Sequence, residues 1–270
     1  MKSKMLLGCL ICLCSGCQEL QLKLEQLLSD DEHCYYQYQP MELVFESSQN
    51  YVNPFDEDEV DFFVNFEGPG DQTLKVLGFW DGDSTWKVRF SPPIPGHWTY
   101  STECSDTSNL GLNNQEGIIK VVSASSDNPI YQYGGMLKVS DNKRYLTYQN
   151  GHPFFYLADT WWGLPSNLVP IERPQGSNIP PEISRPYEFL VDRRVSQHYS
   201  VIQMHGSTGM FENDPDNVAG KRFIFNKTDN VLDSDSSDVR YWQEYDKYIQ
   251  YANEKGLVVN LGVAGHEVLD

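Results

Sequence analysis

The sequence predicts a multidomain β plus α/β chain, an Ig-like β-sandwich followed by an α/β unit on a parallel sheet. Three observations predict it. Between Cys34 and Val122, short runs alternate apolar and polar residues and are separated by Gly, Pro and Asp turns. After Pro129 the pattern changes to continuous apolar runs that alternate with helical stripes. Of 270 residues, 40% are hydrophobic and 13% aromatic, enough to fill packed cores and too many for a chain that cannot collapse.

Ahead of both parts, residues 1–17 read as a secretory leader. Lys2 and Lys4 give a positive start, Met5 to Leu13 a short apolar stretch, and Ser15 and Gly16 precede Cys17. That stretch is too short to span a bilayer. The Ser-Gly-Cys ending is similar to a bacterial lipoprotein signal, with Cys14 where that pattern has Leu. On this reading Cys17 is the lipid-attachment residue, and acyl chains anchor the exported protein to a membrane at the cell envelope or surface. A plain cleaved leader and a secreted product are the alternative. Residues 18–34 follow as a polar, acidic tether.

The net charge of −18 and pI near 4.6 argue against a nucleic-acid partner, because phosphate backbones select Lys/Arg-rich surfaces. Four of the six cysteines fall in the leader, leaving Cys34 and Cys104. In an oxidising compartment these two either pair as a disulfide or remain unrelated thiols. No zinc-type Cys/His spacing lies outside the leader, and there is no Gly-rich phosphate loop, so neither metal nor cofactor is expected.

In residues 35–122 the expected strands are Met41 to Glu46, Val60 to Phe66, Leu74 to Phe79, Trp86 to Phe90, Gly96 to Thr102 and Gly117 to Val122. Asp81-Gly82 fits a tight hairpin, where Gly supplies the positive φ. Trp80, Trp86 and Trp98 could form a sugar-stacking platform, but their places in strands favour a sandwich core.

A small, polar linker spans 123–131, and residues 132–270 carry the βα pattern. Met136 to Val139 and Arg144 to Tyr148 read as hairpin strands. The run from Pro153 to Ala158, then Tyr199 to Met204 and Leu257 to Val263, read as buried parallel strands. Helices are expected over Pro186 to Gln197, capped by Ser184, and over Val239 to Lys255, opened by Asp238 and closed by Gly256. The long, acidic segment between His205 and Asp238 holds Phe223 to Phe225 and reads as a substrate-selecting lid or a surface insertion. Its Asn226 sequon is read as irrelevant in a bacterial lipoprotein.

Two strings carry a family resemblance. Residues 78–100, from Gly78-Phe79-Trp80-Asp81-Gly82 through His97-Trp98-Thr99-Tyr100, together with Asn53-Pro54-Phe55, resemble the β-sandwich that precedes many apiosidase-like glycoside hydrolases. Residues 153–163 (Pro-Phe-Phe-Tyr-Leu-Ala-Asp-Thr-Trp-Trp-Gly) are similar to the first barrel strand of that family, and Val201-Ile202-Gln203 and Gly256 to Val259 to its second and third. Where the family usually has Gly before the second strand, this chain has His198.

The resemblance implies a (β/α)8 TIM-type barrel that hydrolyses glycosidic bonds in plant-type polysaccharides, with an oligosaccharide or polysaccharide as partner. Such a barrel takes about 250 residues. Residues 153–270 supply fewer than half, about three βα units, so an incomplete barrel and a truncated chain are expected. The family's catalytic carboxylates sit on later strands, so no residue here is assigned a catalytic role. At the strand ends, where barrel sites lie, Asp159, Trp161, Trp162, Gln203 and His205 are the expected sugar contacts. His266 and Glu267 are weaker candidates. Each has a plainer reading, Asp159 as a turn cap, the tryptophans as core and His205 as a loop residue. A non-catalytic glycan-binding or partner-binding surface protein is the second functional reading.

Overall fold

The structure, a computed structural model, describes residues 34–123, 126–161, 164, 169–205 and 239–262. Cys17, Trp162, Asn226, His266 and Glu267, the leader, nearly all of the tether and the segment 206–238 lie outside them.

The first body holds eight strands: β1 (Cys34–Tyr36), β2 (Met41–Glu46), β3 (Phe62–Gly68), β4 (Gln72–Leu77), β5 (Phe79–Trp80), β6 (Thr85–Phe90), β7 (Gly96–Cys104) and β8 (Glu116–Val122). They form a five-stranded sheet in the order β1-β8-β7-β3-β4 and a three-stranded sheet in the order β2-β6-β5. Both sheets bury alternate residues in one core. Phe62, Val64 and Phe66 of β3 and Trp98 of β7 face Phe45 of β2 and Trp86, Val88 and Phe90 of β6. Phe66 stacks on Phe90 with ring centroids 4.0 Å apart. Side chains that alternate faces along a strand make this packing follow from the sequence pattern.

Two glycines shape this body. The expected strand Leu74 to Phe79 breaks at Gly78, where an added Cβ would lie 2.1 Å from the Phe62 ring. The chain leaves one sheet there and enters the other, as β4 and β5. Gly82 has φ 104° in the turn between β5 and β6, as the hairpin reading requires.

The Cys34–Cys104 pairing is not formed: both are free thiols, Cys34 exposed and Cys104 buried. Strand β8 lies between β1 and β7. At about 4.8 Å per strand, that separation exceeds the roughly 7 Å limit between Cα atoms of a disulfide.

The second body begins with the short helix α1 (Pro129–Gln132). Asn128 accepts a hydrogen bond from the Ile130 N–H at 3.0 Å and caps this helix. A hairpin sheet follows, made of β9 (Leu137–Val139), β10 (Leu146–Tyr148) and β11 (Pro153–Phe154), in the order β11-β10-β9. Then come β12 (Ala158–Trp161), α2 (Pro186–Ser196), β13 (Val201–His205), α3 (Val239–Glu254) and β14 (Val258–Gly262).

The apolar run Pro153 to Ala158 is therefore not one strand. Its start pairs antiparallel with β10, and only from Ala158 does the chain pair parallel with β13. Pro153 cannot donate to a ladder, which suits it to a short edge strand. Ser184 does not cap α2. The cap position is Arg185, whose side chain makes no capping bond but pairs with Glu188, and Pro186 opens the first turn.

Strands β12, β13 and β14 form a parallel sheet in chain order, with α2 and α3 as its crossovers. Tyr187, Val191, Ile202, Met204, Tyr245, Tyr248, Ala252 and Leu257 fill the layer between strands and helices. The Tyr187 hydroxyl donates to the Tyr248 carbonyl at 2.8 Å, tying α2 to α3. The two bodies are joined by polar contacts at α3. Arg89 of β6 pairs with Asp246, and Gln243 donates to the Asp81 carbonyl at 3.2 Å. Among the described residues no helix is long and apolar enough to cross a membrane.

Candidate functional site

The register of the parallel sheet decides which side chains share a face. Ala158 pairs with Val201, Asp159 with Ile202, Thr160 with Gln203 and Trp161 with Met204. Val201 pairs with Val258, Gln203 with Asn260 and His205 with Gly262. In a parallel ladder, residues level with one another point the same way, and successive residues point to opposite faces.

Ile202 and Met204 pack among the helices, with Trp161, Val259 and Leu261 beside them. This is the helix-covered face. Ala158, Val201 and Val258 lie on the other, as a floor against Tyr148 and Phe154. Directly above that floor, toward the strand C-termini, Thr160, Gln203 and Asn260 stand side by side across all three strands.

Thr160 and Asn260 are exposed and Gln203 is half-buried. Asn260 donates from Nδ2 to the Tyr156 hydroxyl at 2.9 Å. Among the described residues, the Thr160 hydroxyl and the Gln203 amide make no side-chain hydrogen bond. The row therefore offers a hydroxyl and two amides, donors and acceptors together, on an open sheet face. That is a hydrogen-bonding surface for a polyhydroxylated ligand.

The residues expected at the site divide between the two faces. Gln203 lies on the open face. Asp159 and Trp161 do not, because a shift of one residue along a strand reverses the face. Trp161 meets Tyr187 edge-on, 5.9 Å between ring centroids, in the helix-side core. Asp159 accepts hydrogen bonds from the Trp161 indole at 2.7 Å and from Arg194 of α2 at 2.5 Å. Partial burial pushes this carboxyl up, but the Arg194 and Trp161 bonds outweigh it and hold the group below the usual carboxylate range. Asp159 is thus committed to positioning α2 and Trp161 against the strand. The His205 side chain and Trp162 lie outside the described residues.

Thr160, Asn260 and Tyr156 were missed by sequence reasoning. Asn260 had a legible signal, the one polar residue inside Leu257 to Val263. Thr160 had none, because only the β12–β13 register sets it level with Gln203. Among the described residues no group of three or more His, Cys, Asp or Glu gathers to hold a metal ion.

The Trp80, Trp86 and Trp98 alternatives also separate. Trp86 and Trp98 are core residues, while Trp80 is only partly buried at the core's edge.

Comparison with known proteins extends this geometry. Residues 35–105 match a domain family of unknown function, DUF5060, and residues 140–267 match the family described as apiosidase-like, catalytic domain. A crystal structure from Bacteroides vulgatus, named as a candidate glycoside hydrolase, superposes with a TM-score of 0.60 at 20% identity over 87% of this chain. This chain spans 41% of that structure's length. A structure named glycoside hydrolase (25% identity, TM-score 0.33) and a family 5 glycoside hydrolase from Bacteroides vulgatus (23%, 0.32) each cover 51% of this chain and 26% of their own. These two superpose too weakly to bear on the fold. No curated protein matches the chain. The resemblance read from the two strings holds: the chain resembles apiosidase-like glycoside hydrolases, with a DUF5060 domain ahead of the apiosidase-like segment.

Proposed function

We propose that this chain is the glycan-recognising N-terminal part of an exported glycoside hydrolase of the apiosidase-like kind, acting on plant-type polysaccharide. The reading rests on one observation, the Thr160–Gln203–Asn260 row in register across a parallel sheet, on the C-terminal side of its apolar floor. In (β/α)8 barrels active sites lie at that end of the strands. On this reading the parallel sheet is the first part of such a barrel, and the β1–β8 body is an Ig-like accessory sandwich. Lipid attachment at Cys17 and placement at the cell envelope complete the proposal.

The row binds and orients rather than cleaves. Glycosidic hydrolysis takes two carboxylates flanking the scissile bond, an acid and a base or nucleophile. No described strand residue on the open face is a carboxylate, and Asp159 is turned to the helices. The catalytic pair is therefore not drawn from the described strand face. Thr160, Gln203 and Asn260 would hold sugar hydroxyls while that pair acts.

The same lack of a carboxylate on the described face favours the second reading, a glycan-binding surface protein without catalysis. The two readings part in a single experiment. Plant pectic and hemicellulosic polysaccharides are incubated with this chain and with the chain extended by whatever its gene encodes after Asp270. The enzyme reading predicts reducing-sugar release by the extended protein and none by this chain. Release by this chain, abolished by changing a carboxylate within it, would overturn the assignment. An immediate stop codon with retained glycan binding selects the second reading.

A further inference from the structure

The first body carries a pocket of its own, of about 220 Å³, remote in sequence from the strand-end row. Its walls come from the segment between β2 and β3 and from the β5–β6 hairpin. Tyr51, Phe55 and Trp80 supply aromatic surface, and Gln49, Asn50, Asn53 and Asp83 supply polar groups.

The walls are fixed by bonds made behind them. Asn109, fully buried, donates from Nδ2 to the Tyr51 hydroxyl at 2.8 Å and to Ser47 Oγ at 2.8 Å, and accepts from the Ser48 N–H at 3.0 Å. The Tyr51 hydroxyl donates in turn to Asp106 at 3.1 Å. Glu59 accepts from the Val52 and Asn53 N–H groups at 2.9 and 3.0 Å, and Asn53 caps the turn by accepting from the Phe55 N–H. The Trp80 indole donates to the Asp83 carbonyl at 2.9 Å, and Phe55 meets it edge-on at 5.6 Å.

Three groups at the rim stay uncommitted. Among the described residues, the Gln49 and Asn50 amides and the Asp83 carboxylate make no side-chain hydrogen bond or ion pair. The Asn-Pro-Phe string and the Trp80 hairpin, which the strand-end site does not use, thus converge on one preformed concavity.

The lining limits the ligand. No Lys or Arg contributes to the wall and one carboxylate does, so phosphate and sugar acids are disfavoured. The volume lies below the about 300–1,000 Å³ of pockets for drug-sized ligands, which suits a single ring. Amides need partners that both donate and accept, which a quaternary ammonium lacks. Aromatic surface beside amides and a carboxylate matches the C–H faces and hydroxyls of a neutral sugar.

We propose that this pocket is a second glycan-binding site, taking one neutral sugar unit of a polysaccharide chain and standing independently of the strand-end row. It would keep substrate close to the barrel by raising its effective concentration.

Saturation-transfer NMR on the full chain tests this with glucose, galactose, xylose, arabinose and rhamnose as probes, and galacturonate and choline as competitors. The expected result is transfer to C–H protons of at least one neutral sugar. Asn50→Ala, at a rim position that carries no core packing, should weaken it about tenfold, the loss of roughly one good hydrogen bond, and Asn50→Ala/Asp83→Ala should weaken it further. In a Gln203→Ala/Asn260→Ala background, which removes any share from the strand-end row, transfer should persist and should still fall in the rim variants. Transfer from choline or galacturonate alone, from no neutral sugar, or undiminished in the rim variants overturns the proposal. Loss confined to Gln203→Ala/Asn260→Ala assigns the binding to the strand-end row and overturns it too.

Discussion

The antiparallel and parallel bodies bury their sheets in different ways. In the first, two sheets face each other across one core, so each strand's apolar residues point inward and the alternation in the sequence names the face. Phe62, Val64 and Phe66 are buried while Phe63, Asn65 and Glu67 point outward. In the second, both faces of β12–β14 carry apolar residues, helix-side in one register and floor-side in the other. Apolar content there no longer tells which way a residue points. Face must be taken from the ladder, and one residue of error exchanges core for site.

The largest effect belongs to the body with the two-sided core. Trp98 is completely buried, packs on Phe90 and donates its indole N–H to the Ile94 carbonyl. Trp98→Ala should cost about 3–5 kcal/mol, the usual range for a large aromatic truncated in a core. Trp161→Ala, at a partly buried position of the helix-side layer, should cost less. Urea denaturation followed by circular dichroism compares them, and an equal or reversed order would break the contrast.

The Asp159–Arg194 pair comes next. Asp159→Asn removes a charge that holds α2 to β12, and should cost about 1–2 kcal/mol near neutral pH, a charge-assisted bond discounted for its partial exposure. The folded carboxyl lies below its unfolded value, so its contribution is present above the unfolded pKa and fades as pH falls through the folded one. Thermal melts from pH 7 down to pH 3 should therefore converge for the two proteins at the acid end. A gap that widened on acidification would contradict the ion-pair role.

On the alkaline side, buried phenols in both bodies (Tyr51 in the first, Tyr187 and Tyr248 in the second) are pushed up by burial, and Tyr51 is the one tied to the pocket wall. Burial raises the Tyr51 phenol to about 12, ahead of the opposing bond from Asn109. The unfolded phenol ionises near 10, so stability should fall as pH rises from 10 toward 12. Tyr51→Phe should make that decline shallower in thermal melts, leaving the part due to Tyr187 and Tyr248.

Much of this architecture was legible in the sequence. Strands at Met41 to Glu46 and Gly117 to Val122 were readable from alternation, and both long helices from their stripes. Three features were not. Gly78 breaks a continuous β pattern because of the Phe62 ring, which only the fold places beside it. Pro153 to Ala158 divides between two sheets, although nothing in its composition changes. Asp159 looked free because its partner, Arg194, lies on a helix distant in sequence. His198 is the opposite case, a local oddity with a local cause. It sits at φ 63° just after α2, a left-handed position where the resembling family has Gly. His198→Gly should stabilise by about 0.5–1 kcal/mol, the left-handed strain less the entropy of glycine, the smallest change expected and measurable as a rise in Tm.

The account stands on the face assigned to each strand residue, and cysteine labelling reads that directly. With Cys9, Cys12, Cys14, Cys17 and Cys34 changed to Ser, Thr160→Cys, Asn260→Cys and Ile202→Cys are each treated with a water-soluble maleimide, with and without plant polysaccharide. Thiols at 160 and 260 should react quickly and be protected by the glycan, while the thiol at 202 should react only as the protein unfolds. Fast, glycan-sensitive labelling at 202, or inert thiols at 160 and 260, would contradict it.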